Sequence, residues 1–126
     1  MPNQVMFLYL KDIGVHEIYR RATLIIASRG YSKTLTYDPY SRAVNAYGAI
    51  LLACGASEKK LAEGDFEPEE CGAPDAMIPT ICLAREYAEA MVDRNMFDWC
   101  TENDERAVIG LFNRLADRIE ITVASK

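Results

Sequence analysis

The sequence predicts a mainly α fold: a compact bundle of about four helices, with a short β-hairpin or ordered loop after the first helix. Two observations support this. Apolar residues recur at helical spacing in several segments, and helix-ending glycines or helix-starting prolines and polar residues stand at the segment boundaries. The chain has 126 residues, half of them hydrophobic, which suits a single globular domain spanning residues 1–126.

The first helix is predicted over Val15–Arg29, and Gly30 follows where a left-handed C-terminal cap is expected. Before it, Gln4–Leu10 is short and apolar, and it fits either a strand or a lead-in to the helix. The predicted buried face of the helix consists of residues at helical spacing: Val15, Ile18, Tyr19, Ala22, Ile25 and Ile26.

The segment Tyr31–Val44 follows and carries Asp38-Pro39, a strong turn signal, between residues of fair strand propensity. It therefore predicts either a short hairpin or an ordered loop. The next segment, Ala43–Gly55, is apolar nearly all round and predicts a buried helix. Gly48 in its middle costs about 1 kcal/mol relative to alanine, so we expect another helix backbone to approach closely there.

The acidic segment from about residue 57 to 75 predicts a surface loop, with a helical turn near Lys59–Ala62. A third helix is predicted over Pro79–Asn95 because proline suits the first helical position. The last helix follows Thr101 or Asn103 as N-cap. The end of the chain either frays or forms a short terminal strand. The apolar residues of the helix recur at i, i+3, i+4, i+7 and i+11: Val108, Leu111, Phe112, Leu115 and Ile119.

The charge and the cysteine spacing limit the classes of function that the sequence favours. The net charge is −5 and the pI about 4.9, so a nucleic-acid partner is not expected. The start of the chain lacks a basic segment and a long apolar run, which predicts neither a signal peptide nor a membrane span. The cysteines fit no metal-binding spacing and are interpreted as reduced thiols of a cytoplasmic protein: Cys54, Cys71, Cys82 and Cys100.

The weak catalytic candidates are Cys100 and His16. A thiol near a helix N-terminus can have a lowered pKa, but the nearby acids oppose this, and His16 is the only histidine available as a base. A structural cysteine is the favoured interpretation. No metal site or cofactor is expected, because Walker and GxGxxG motifs are absent from the sequence and the stretch DWCTENDE lacks the glycine and closing glutamate of a calcium loop.

The aromatic residues are better candidates for binding. Four tyrosines fall in one short region, and aromatics with a polar tip are enriched at protein interfaces. The alternative is that Tyr31 and Tyr47 belong to the core while Tyr37 and Tyr40 decorate a turn. The complete predicted binding set adds two residues near the last helix: Tyr31, Tyr37, Tyr40, Tyr47, Trp99 and Asp104.

The order of these features resembles a functionally uncharacterised family of small proteins from actinobacteria and their phages. The matching positions are Gly30-Tyr31, Gly48-Ala49-Ile50 and Trp99 with Asn103-Asp104. The resemblance covers about residues 15–119. The chain departs from the family pattern in the spacing between Cys100 and Asn103, which is tighter in the family. The resemblance implies a bacterial or phage cytosolic protein and carries over no activity.

Three functions remain open from the sequence. The preferred one is a non-catalytic accessory factor that binds a host or defence protein, since the chain is acidic and lacks a catalytic motif. The first alternative is a small enzyme or small-molecule binder with a pocket between helices. It would require its four candidate residues to converge: Cys100, His16, Tyr47 and Asp104. The second alternative is a structural homo-oligomer.

Overall fold

The computed structural model describes residues 14–124, with side chains to residue 121. This part of the chain is mainly helical, as predicted, and forms no strand or sheet. The predicted strand or lead-in over Gln4–Leu10 lies outside the described residues. The elements are α1 Val15–Arg29, α2 Ala46–Ala53, α3 Glu58–Ala62, a 3-10 helix Asp75–Met77, α4 Ile78–Val92, α5 Met96–Glu102 and α6 Glu105–Ala124.

Helix α1 lies at the centre of the fold, packed most extensively on α6 and then on α2. The ring centroids of Tyr19 and Phe112 are 5.4 Å apart, and both side chains are fully buried. The Tyr19 hydroxyl donates a 2.6 Å hydrogen bond to the carbonyl oxygen of Ala84 in α4. Because Tyr19 joins α6 and α4 to α1, the predicted apolar face of α1 is the seam of the core.

The ends of two predicted helices are corrected. Helix α6 continues through residues 119–124, so the predicted short terminal strand is wrong there. The Arg20 guanidinium of α1 donates to the Glu120 side chain at 3.3 Å, which holds this part of α6 against α1. Helix α4 ends at Val92, before the predicted end, where Asp93 takes a left-handed conformation with φ 53° and ψ 40°.

The excursion after α1 is an ordered loop, and the hairpin alternative is not formed. Val44 makes isolated bridges to Tyr31 on one side and Tyr37 on the other. The Ser32 amide donates to the Val44 carbonyl at 2.9 Å, and the Val44 amide donates to the Gly30 carbonyl at 3.2 Å. One buried residue therefore closes the loop from both sides, without the repeated ladder that a hairpin requires.

Gly48 marks a close backbone approach, as predicted, but the neighbour is this loop and not a helix. A β-carbon placed on Gly48 would lie 2.0 Å from the Thr36 carbonyl oxygen. Asn45 is the N-cap of α2, and its side-chain oxygen accepts a 2.8 Å hydrogen bond from the Gly48 amide. The Asn45 amide donates to the same Thr36 carbonyl at 3.4 Å. The missing side chain at Gly48 thus lets α2 pack directly on the loop.

The structure contains two short helices between the long ones. Helix α3 confirms the helical turn predicted near Lys59–Ala62, whereas Cys71, in the segment predicted as a surface loop, is fully buried. Helix α5 was not predicted at all. Asn95 caps α5 by accepting from the Phe97 amide at 2.9 Å. The predicted N-cap of the last helix is wrong, because Asp104, and not Thr101 or Asn103, accepts the 2.9 Å hydrogen bond from the Ala107 amide.

Candidate functional site

The tyrosines predicted to form one binding patch lie in different environments. Tyr47 is buried and donates to the Phe66 carbonyl at 3.0 Å. Tyr37 is also buried, although the hypothesis placed it at a surface. Tyr31 is half-buried and donates to the Cys100 carbonyl at 2.8 Å. Only Tyr40 projects from the surface, with 96% of its area exposed. The four residues therefore do not form a continuous exposed cluster.

Tyr40 lies at the tip of a turn within the segment Tyr37–Val44, which we call the Tyr40 loop. The Asp38 side chain accepts hydrogen bonds from the Tyr40 amide and from the Ser41 hydroxyl, both at 2.9 Å. The Asp38 backbone is paired at both its groups, accepting from the Arg42 amide at 2.7 Å and donating to the Ala43 carbonyl at 2.9 Å. These bonds fix the turn in the manner predicted by the Asp-Pro signal.

The negative charge of Asp38 supports the same turn. Hydrogen bonds from the Tyr40 amide and then from the Ser41 hydroxyl hold the pKa of Asp38 below its ordinary value. The side chain is therefore an ionised acceptor at neutral pH. Arg42 adopts a left-handed conformation with φ 69°, which turns the chain back toward Val44.

The base of the Tyr40 loop is tied down by four side chains, which we call the Glu58 cluster: Arg29, Tyr37, Arg42 and Glu58. One oxygen of Glu58 accepts from the Arg29 guanidinium at 2.6 Å, from Arg42 Nε at 3.0 Å and from the Tyr37 hydroxyl at 3.2 Å. Its other oxygen accepts from Arg42 at 2.9 Å. Helices α1 and α3 and the loop therefore meet at one carboxylate.

This arrangement lowers the pKa of Glu58 from 4.5 to about 2, mainly through the hydrogen bond from Arg29 and then that from Arg42. A carboxyl whose pKa is depressed by folding stabilises the protein above its unfolded pKa, and this contribution is lost as the pH falls through the folded pKa. The window for Glu58 therefore runs from about pH 4.5 down to about pH 2.

We expect Glu58→Gln to lower the free energy of unfolding at pH 7 by about 1 kcal/mol, a value reduced for solvent screening because the side chain is 37% exposed. The deficit should shrink when unfolding by urea is measured near pH 3, which lies below the unfolded pKa of 4.5, because folding must then ionise a carboxyl that is protonated in the unfolded chain. The matched control is Glu63→Gln, at an exposed acid just after α3. An equal deficit at both pH values would contradict the role of the ionised carboxylate.

Cys100, Tyr31, Trp99 and Asp104 lie near the junction of α5 and α6. Cys100 is fully buried, and burial raises the pKa of its thiol, partly opposed by hydrogen bonds with the Ala46 backbone and Tyr31. Burial, together with Cys100, likewise raises the pKa of Tyr31. The site therefore favours a neutral thiol, whereas a nucleophile needs a lowered pKa.

The remaining candidate residues have structural contacts and no catalytic partner among the described residues. Asp104 caps α6, as described above. Trp99 is half-buried against the core, and its carbonyl accepts a 2.8 Å hydrogen bond from the Asn103 side chain. His16 is half-buried near the start of α1. No hydrogen bond joins His16 to Cys100 within residues 14–121, and the His16 Nδ1 atom is buried there without a partner. These contacts assemble a helix corner rather than a catalytic pair.

Sequence analysis missed a second cluster, built around Arg85 on α4. The Arg85 guanidinium carbon lies 5.1 Å from the Tyr47 ring centroid and 5.0 Å from that of Phe97. Glu89 accepts from Arg85 at 3.3 Å and from the Met96 amide at 2.8 Å, which holds the start of α5. Burial raises the pKa of Tyr47 to about 12, with Arg85 opposing the shift. The i,i+4 spacing of Arg85 and Glu89 was the available signal.

An open apolar groove of about 530 Å³ lies beside α1, α2 and the 3-10 helix. We call it the α1–α2 groove. Leu24 on its rim is 69% exposed, because it lies on the side of α1 opposite the buried face. The side chains that line the groove include Arg21, Leu24, Ile25, Leu52, Cys54 and Met77.

In the part of the chain that the structure describes, no group of three or more histidine, cysteine, aspartate or glutamate side chains is arranged to hold a metal ion. Over the same residues, no helix has both the length and the apolar character needed to cross a membrane.

Comparison with known proteins identified no family model that matches the chain, no similar curated protein and no similar solved structure. The resemblance to the actinobacterial and phage family therefore stays a prediction.

Proposed function

We propose that this chain is a non-catalytic, cytoplasmic protein-binding factor that engages its partner through the Tyr40 loop. The observation that carries the proposal is the fixed display of Tyr40. Its side chain is 96% exposed, while the turn beneath it is held by the bonds of Asp38. Tyrosine is enriched among the residues that dominate binding energy at protein interfaces.

Rigidity strengthens the argument. Ordering a mobile loop on binding costs free energy, and a loop held in one conformation avoids most of that cost. The Tyr40 loop is anchored at its base by the Glu58 cluster and closed by Val44, as described above. Its exposed tyrosine therefore presents a large contact area with few degrees of freedom to lose.

Charge suggests the kind of partner surface. The chain carries a net charge of −5, so a partner with a basic surface would associate faster and with better selectivity. The family resemblance would imply only a bacterial or phage cytosolic protein and carries over no activity. That the chain is a phage or mobile-element factor acting on a host or defence protein is part of our proposal. The raised thiol pKa of Cys100 supports the non-catalytic part of the proposal.

The test is site-specific photo-crosslinking. A benzophenone-bearing phenylalanine replaces Tyr40 in one variant and Tyr87, a 39% exposed tyrosine on α4, in the control variant. We expect a covalent product of one defined mass from position 40 only. The trapped partner is then purified, and Tyr40→Ala should weaken its binding by about 30-fold or more, whereas Tyr87→Ala should change it by less than about threefold.

Three results would count against the proposal. Equal crosslinking from both positions would show no preference for the Tyr40 loop. Unchanged affinity of Tyr40→Ala would remove the tyrosine as the contact. A product of twice the chain mass would instead favour the homo-oligomer alternative. Because Tyr40 is exposed, its replacement should leave the free energy of unfolding within about 0.5 kcal/mol of wild type.

A further inference from the structure

We propose that Cys54 and Cys71 form a redox-sensitive pair, which closes into a reversible disulfide when a small peroxide is present. The inference goes beyond the proposed function and does not depend on it, since neither cysteine belongs to the Tyr40 loop. Disulfides in cytoplasmic proteins are usually transient and redox-sensing. Such a pair is therefore compatible with a chain whose thiols are reduced at rest.

The segments that carry the two cysteines lie side by side. A disulfide joins residues whose α-carbons are about 4.4–6.8 Å apart, so its two cysteines must come from adjacent segments. The Ser57 amide, three residues after Cys54, donates a 2.8 Å hydrogen bond to the Cys71 carbonyl. A β-carbon on Gly55 would lie 3.1 Å from the Pro74 side chain. The chain that leaves α2 therefore runs against the chain that follows α3.

Both cysteine side chains belong to the same hydrophobic core. Cys54 is 3% exposed and Cys71 is fully buried, and both are members of one cluster of buried residues. The Cys71 thiol donates a weak hydrogen bond to the Pro68 carbonyl at 3.5 Å. A disulfide is uncharged and largely apolar, so it suits this environment, in which an ionised thiolate is costly to bury.

Electrostatic interaction supports the proximity of the two sulfur atoms. Burial and then Cys71 raise the pKa of Cys54 to about 12, with Arg21 opposing the shift. One ionisable group changes the pKa of another chiefly over short distances. The other two cysteines lie elsewhere, since Cys82 is exposed on α4 and Cys100 is buried in α5. The partner of Cys54 in a disulfide is therefore Cys71.

The α1–α2 groove gives a small oxidant a route to Cys54, which lines it. With hydrogen peroxide, the Cys54 sulfur loses its proton to water and attacks one peroxide oxygen; the O–O bond breaks, which leaves a sulfenic acid and one water. The Cys71 sulfur then attacks the Cys54 sulfur, so that the S–S bond forms, the S–O bond breaks, and hydroxide leaves with the Cys71 proton as a second water. The two thiols lose two electrons, which the peroxide accepts. Because the pKa of Cys54 is high, we expect this reaction to take hours.

The disulfide would enclose helix α3. Residues 55–70 lie between the two cysteines and include Glu58, which holds the base of the Tyr40 loop. Closing this loop removes conformations from the unfolded chain, so the oxidised protein should unfold at a urea concentration higher by about 1 M or more. Oxidation would thus fasten the part of the fold to which the Tyr40 loop is anchored.

The experiment uses the full chain carrying Cys82→Ser, which removes the exposed thiol and with it disulfides between copies. The folded variant is incubated with hydrogen peroxide at about pH 8, free thiols are blocked, and unreduced peptides are mapped by mass spectrometry. We expect the mass to fall by two hydrogen atoms and one peptide pair to be joined through Cys54 and Cys71, both reversed by dithiothreitol. An unchanged mass, a link to Cys100, thiol oxidation without any link, or a link formed only in denaturant would overturn the proposal.

A matched pair of variants in the same background makes the test specific. Cys71→Ala and Cys100→Ala each remove one fully buried sulfur, and circular dichroism checks that both chains fold. Cys100→Ala should keep the disulfide and the shift in urea midpoint on oxidation. Cys71→Ala should lose both, and its Cys54 should instead react with dimedone, which traps sulfenic acids. An oxidation-dependent shift of equal size in both variants would show that Cys71 is not the partner.

Discussion

Replacing Gly48 with alanine is expected to destabilise the protein by about 3 kcal/mol, although the same change in an ordinary helix stabilises by about 1 kcal/mol. The new β-carbon would lie 2.0 Å from the Thr36 carbonyl oxygen and 3.0 Å from the Val44 β-carbon. The nearest atom belongs to the backbone, so no side-chain rotation can relieve the overlap. Either α2 or the Tyr40 loop must move, and both are held by Asn45 and Val44.

The matched control is Gly110→Ala in α6. A β-carbon at Gly110 would meet only the end of the Arg114 side chain, at 3.6 Å, so we expect a gain of about 0.5 to 1 kcal/mol. Urea unfolding followed by circular dichroism compares the two variants with wild type. Stabilisation by both substitutions would show that the close approach at Gly48 is absent, whereas opposite signs would confirm it.

Thiol labelling of the folded protein is expected to separate Cys82 from the other cysteines by a factor of at least about 100 in rate. Cys82 is exposed on α4, whereas the remaining three are buried and react only when the core opens. Partial burial and then Glu69 and Glu86 raise the pKa of Cys82, so labelling is best performed near pH 8. Burial likewise raises the pKa of Cys54 to about 12, which slows its reaction further.

The labelled sites are assigned by peptide mapping, with Cys82→Ser as the control. That variant should lose the fast phase entirely and release the three slow thiols only in denaturant. The decisive observation concerns Cys100. If it reacted in the folded protein as fast as Cys82, its thiol would be accessible and activated, and the enzyme alternative would replace the binding proposal.

Long amphipathic helices could be predicted from sequence because their periodicity is a local property. The apolar residues of α1 and α6 repeat over several turns, and the structure places Ile18 and Phe112 in the core accordingly. Helix α5 has only seven residues, too few to show a period. It depends on distant contacts, since Glu89 holds the Met96 amide and Arg85 stacks on Phe97.

The exposure of the tyrosines could not be predicted for a related reason. Tyr37 and Tyr40 are the same residue type, three positions apart, in a segment without a regular period. Tyr37 is buried because its ring packs in the hydrophobic core, and its hydroxyl donates to Glu58, which lies 21 residues later in the sequence. The turn at Asp38 was predictable from its own chemistry, whereas the direction in which each ring points depends on helices that pack only in the folded state.

The anchoring of the Tyr40 loop has a consequence for how this chain could acquire new specificity. The residues that hold the loop are Asp38 and Arg42, whereas residues 39–41 are exposed at its tip. Substitutions at Pro39 and Tyr40 would therefore alter the proposed binding surface with little effect on the fold, because surface changes away from anchoring contacts are usually near neutral. The loop is a suitable position for randomised libraries and for grafted recognition sequences. If the partner's surface changed during evolution, substitutions at these few positions could restore binding.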